Sequence, residues 1–61
     1  MADDVRERVR RLVRTRGAAA AARDLGMPRE TVLAVGADAP VRDGTLVLAE
    51  QRLEALEARQ P

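Results

Sequence analysis

Apolar residues gather into four clusters along the chain, each spaced for a helix, and nowhere alternate long enough for a strand. In the first cluster Val5, Val9, Leu12 and Val13 recur at i, i+4, i+7 and i+8, which predicts a one-striped helix over about residues 5–16. Asp3 and Asp4 stand at its N-terminal end, where the helix dipole favours negative charge. Arg14 and Arg16 stand at the other end, ahead of Gly17 as a stop. The second cluster, Ala18 to Leu25, is mostly Ala, the best helix former, and closes on Gly26, which suits a left-handed terminus. A linker would mix in Gly, Ser or Pro, so the Ala run reads as helix. The third segment starts at Pro28, whose fixed φ fits a first helical position, and carries Glu30 in its first turn. Val32, Leu33 and Val35 supply its apolar side chains before Gly36. A loop from Ala37 to Arg42 contains Pro40, after which Asp43 is placed to cap a last helix over about 44–59. There Leu46, Ala49, Leu53 and Leu56 repeat with 3-4-3 spacing. The expected fold is all-α, a compact bundle of about four short helices forming one domain.

Composition sharpens this picture. A chain of 61 residues supports one small domain, which buries only about 60% of its unfolded surface and commonly leans on disulfides, metals or oligomerisation. With no Cys and no His, oligomerisation is the remaining support. A homodimer is expected, with the Leu53–Leu56 end of the last helix, or the first helix, at its interface. Ser, Lys and Tyr are also missing, and no two of the ten carboxylates suggest a shared pocket. The residues therefore point away from an enzyme and imply no cofactor and no metal. The absence of aromatic residues argues against modules that stack unpaired bases on rings. No uncharged run approaches the roughly 20 residues of a membrane span. The acidic start, Met1-Ala2-Asp3-Asp4, has no apolar core behind it and does not read as a signal peptide. The expectation is a cytoplasmic protein.

Charge is uneven along the chain. Residues 1–16 hold six Arg against three acids, a balance of +3, residues 17–36 are neutral, and residues 37–61 stand at −2. Glu7–Arg11 and Asp4–Arg8, both at i,i+4, neutralise part of the first helix. Arg6, Arg10, Arg14 and Arg16 have no acidic partner evident in the sequence. A cationic stripe on a small domain suits phosphate.

The stretch from Ala18 to Ala37 meets the demands of two helices joined by a three-residue turn. Ala22 stands four residues before Gly26, Leu25 and Met27 flank that Gly, and Val32 and Val35 are spaced to point back at the preceding helix. Ala22, with Ala21 beside it, is the small residue expected where the two helices cross. At these residues AAAAARDLGMPRETVLAV resembles the helix-turn-helix of bacterial and phage transcriptional regulators, in which AxxLGVSRxTVxRxL is typical. The continuation Pro40-Val41-Arg42-Asp43-Gly44-Thr45-Leu46, then Ala49 and Leu53, resembles the next helix of Cro- and phage-repressor-like domains. The resemblance covers about residues 5 to 56. It implies a DNA-binding domain at the nucleoid, acting in transcription regulation, whose second motif helix enters the major groove of double-stranded DNA. Carried over by position, the groove-facing set is Pro28, Arg29, Glu30, Leu33 and Ala34, with Thr31 near the backbone. Arg14, Arg16, Arg29 and Arg42 are the expected phosphate contacts. The sequence departs from the family where Met27-Pro28 replaces the usual Ser, and where Leu33, Ala34 and Ala37 replace outward polar residues. That departure supports an alternative, a protein-docking or assembly module built on the same motif. An Arg-rich helix lying on a membrane is disfavoured, because its apolar face is four aliphatic residues with no Trp or Phe.

Overall fold

Four helices run in sequence, α1 from Ala2 to Arg16, α2 from Ala18 to Leu25, α3 from Arg29 to Gly36 and α4 from Asp43 to Ala58. The computed structural model describes residues 2–59, with side chains from Asp4 onward, and contains no strand among them. The side chain of Asp3, expected to serve the dipole of the first helix, lies outside the described residues. Helix α1 begins before its apolar stripe, because periodicity marks where a helix packs rather than where its backbone starts.

Gly17 separates α1 from α2 by itself. Its N–H donates to the Val13 carbonyl at 2.7 Å and its carbonyl accepts from the Ala21 N–H at 3.0 Å. It therefore ends one helix and opens the next, at φ 88° and ψ 157°, a conformation reserved almost wholly for glycine. Pro28 stands at the N-cap of α3 rather than inside it, and its carbonyl accepts the first helical bond, from Val32 N–H at 3.0 Å. Asp43 does not cap α4 as expected. Arg42 occupies the N-cap with no side-chain bond, and Asp43 lies in the first turn, where its charge still complements the dipole.

The core takes side chains from every element. Val5 and Val9 of α1, Ala21 and Leu25 of α2, Met27 of the turn, Val32 and Val35 of α3, and Ala49 and Leu53 of α4 are all buried. Leu12, Val13, Ala22, Val41, Leu46 and Leu56 pack around them, and no described polar side chain is buried. Helix α1 packs against all three others, and α2 packs against α3 and α4. The radius of gyration, 10.2 Å, is near the roughly 10.5 Å expected of a compact chain of this length.

Burial bears on two expectations. Ala21 is fully buried in the core, while Ala22, expected where the two helices cross, is half-buried and packs against the core from its edge. Leu53 is only 4% exposed, so it belongs to the monomer's own core and not to an interface.

Candidate functional site

Helices α2 and α3 have eight residues each and are joined by Gly26, Met27 and Pro28. The turn is fixed by backbone bonds at the end of α2. Gly26 adopts φ 63° and ψ 35°, and its N–H donates to the Arg23 carbonyl at 3.2 Å. The Met27 N–H donates to the Ala22 carbonyl at 3.1 Å, completing the paired bonds that stop a helix abruptly. Met27 is then carried into the core. The Arg52 guanidinium of α4 lies over Gly26, with Nη1 3.0 Å from where a β-carbon would stand. Any larger residue at Gly26 meets both a strained φ and this side chain.

The C-terminal end of α3 is held from α1. Arg6 Nη1 donates to the carbonyls of Val35 at 3.1 Å and Ala34 at 3.4 Å, and Arg10 Nε donates to the Gly36 carbonyl at 2.7 Å. The last carbonyls of a helix lack internal partners and carry its negative dipole end, so two guanidinium groups there satisfy both needs. Asp38 stands just beyond at φ 62°, which Asp tolerates better than most residues, and the Ala39 N–H closes back onto the Ala34 carbonyl at 3.0 Å. Arg10 Nη2 meets Asp38 Oδ2 at 3.1 Å and Arg6 Nε lies 3.9 Å from Asp38 Oδ1. Sequence reading missed this clamp, since its carbonyl partners lie 26 to 29 residues from their arginines.

Of the two remaining arginines expected to stand free, Arg16 is also paired. Arg16 Nε meets Asp24 Oδ2 at 2.6 Å, tying the end of α1 to α2. Arg8 pairs with Glu57 of α4 instead of with Asp4, and that hydrogen bond raises the Arg8 pKa above its ordinary value. The expected Glu7–Arg11 pair is present at 3.7 Å. Among the described residues Arg14, Arg29 and Arg42 are exposed and take part in no ion pair.

The outer face of α3 carries the predicted set. Pro28, Arg29, Glu30, Leu33 and Ala37 are exposed, and Thr31 and Ala34 are half-buried. Val32 and Val35 turn inward, as the spacing required. Leu33, 41% exposed, forms the rim of an apolar groove of about 210 Å³ between α1 and α3, lined also by Arg10, Val13, Val32, Gly36 and Ala37. Arg16 instead lines a different groove, between α1 and α4, with Leu53 and Leu56. The structure thus brings Arg10 to the α3 groove and leaves Arg16 on another side of α1. No helix among the described residues is long and apolar enough to cross a membrane. Compared with known proteins, the chain matches no family model, no curated protein and no solved structure.

Proposed function

We propose that α2, the Gly26–Pro28 turn and α3 form a DNA-binding helix-turn-helix, in a small bacterial regulator or nucleoid-associated protein that acts on double-stranded DNA as a pair of copies. The observation that carries this reading is the contrast between the two faces of α3. Its inner face is locked into the core and its end is clamped by Arg6 and Arg10, while its outer face, from Pro28 to Ala37, stands open. A rigid helix with a free outer face is what groove entry demands. In this reading Arg29 meets a base edge or phosphate at the start of α3, and Arg14 and Arg42 neutralise phosphates. Glu30 serves the dipole of α3, Thr31 reaches the backbone, and Leu33 and Ala34 lie against the groove, where a thymine methyl is the matching apolar group.

A second reading has its own support. Leu33 and the apolar α1–α3 groove form a surface able to dock a protein segment. Gel-shift titration with random and genomic duplexes separates the two. Retarded complexes at low micromolar protein in about 50 mM salt are expected under the DNA reading. Complete absence of binding there transfers the function to docking.

A further inference from the structure

Helix α4 presents two unlike faces. One holds Leu46, Ala49, Leu53 and Leu56 and is packed on the rest of the domain. On the opposite face Gly44, Leu48, Gln51, Ala55 and Ala58 fall at 4-3-4-3 spacing, all uncharged and all exposed. Val47 stands beside them, and Val47 and Leu48, at 55% and 37%, are two of the three exposed large apolar side chains among the described residues. A 4-3 repeat on a free face is the spacing of a helix–helix seam, and the small residues along it permit close approach.

The borders of this face are sorted by sign. Glu54, with Glu50 and Asp43 beyond it, lies on one side, and Arg52 and Arg59 lie on the other. Among the described residues neither Glu54, Arg52 nor Arg59 takes part in an ion pair. Two copies of such a helix are complementary in one orientation only. Laid parallel, the acidic border of each copy meets the basic border of its mate, and Glu54 comes opposite Arg59 of the partner subunit, five positions on. Laid antiparallel, each border meets its own kind, acid against acid and Arg against Arg.

From this we infer that the protein self-associates through α4, as a parallel two-fold pair whose seam is Gly44, Leu48, Gln51, Ala55 and Ala58. The inference deepens the two-copy element of the function proposed above, yet it is tested without DNA, so either can fail while the other stands. It replaces the interface expected at Leu53, whose side chain the monomer already buries.

Sedimentation equilibrium of the wild-type chain is expected to give a dimer in the high micromolar range. Leu48→Glu sets two carboxylates against each other in the seam and should weaken association about tenfold or more with an unchanged helical spectrum. The chain has no Cys, so one introduced thiol reports orientation alone. Under mild oxidation Gln51→Cys and Ala58→Cys should both form covalent dimers in the parallel pair. In an antiparallel pair crossing at Gln51 the two copies of position 58 stand about 21 Å apart, and only Gln51→Cys would bridge. Glu54→Arg should weaken the dimer, and adding Arg59→Glu should restore it. A wild-type monomer at high micromolar concentration overturns the proposal, as does a Leu48→Glu chain that dimerises normally or bridging by Gln51→Cys alone.

Discussion

Gly26 and Gly36 frame α3, and they make opposite demands. Gly26 needs its positive φ, and a β-carbon there also meets the Arg52 guanidinium. Gly36 has ordinary helical φ, and a β-carbon would first meet Arg10 Cα at 3.5 Å, a normal contact. Gly26→Ala is therefore expected to cost about 1–2 kcal/mol, a drop of several degrees in Tm, and Gly36→Ala to be neutral or to stabilise by up to about 1 kcal/mol. Thermal melts of the two variants check this contrast. Ala21 makes a third test, because its side chain is fully buried in the core. Ala21→Leu should cost about 1–3 kcal/mol, more than the same change at half-buried Ala20 or Ala22. Gly26 was legible in the sequence because only one residue type suits that turn. The choice between Ala21 and Ala22 was not, since five consecutive alanines offer no contrast to fix the register.

At the scale of elements, α1 is a scaffold for α3 more than a free cationic surface. Arg6 and Arg10 end their reach on the carbonyls of α3, and Arg8 and Arg16 fasten α1 to α4 and α2. Arg10→Met removes a charged donor from the Gly36 carbonyl. Its side chain is 42% exposed, so the expected loss is about 1–2 kcal/mol. Arg14→Met, on an exposed residue with no ion pair, should stay within about 0.5 kcal/mol. Chemical denaturation distinguishes these values. The four helices themselves were legible, since periodicity, Gly stops and Pro28 act within a few residues. The arginine clamp was not, because a carbonyl partner in a distant element leaves no local pattern. Only the i,i+4 pair Glu7–Arg11 had a spacing from which it could be read.

For the molecule as a whole, the basic beginning and acidic end of the sequence partly answer each other within the fold. Arg8 meets Glu57, and Arg6 and Arg10 meet Asp38. Of the four arginines expected to meet phosphate, Arg14, Arg29 and Arg42 are exposed without an ion pair, while Arg16 is engaged by Asp24, so the proposed complex draws on the first three. The most direct test of the account is the salt dependence of duplex binding by the wild-type protein. Six phosphate contacts in a paired complex predict a log–log slope of about −5. Arg14→Ala should flatten it by about two, while Arg16→Ala leaves it unchanged. A slope near zero, or duplex binding that no change at Arg14, Arg29 or Arg42 alters, would contradict a helix-turn-helix seated on DNA through these residues.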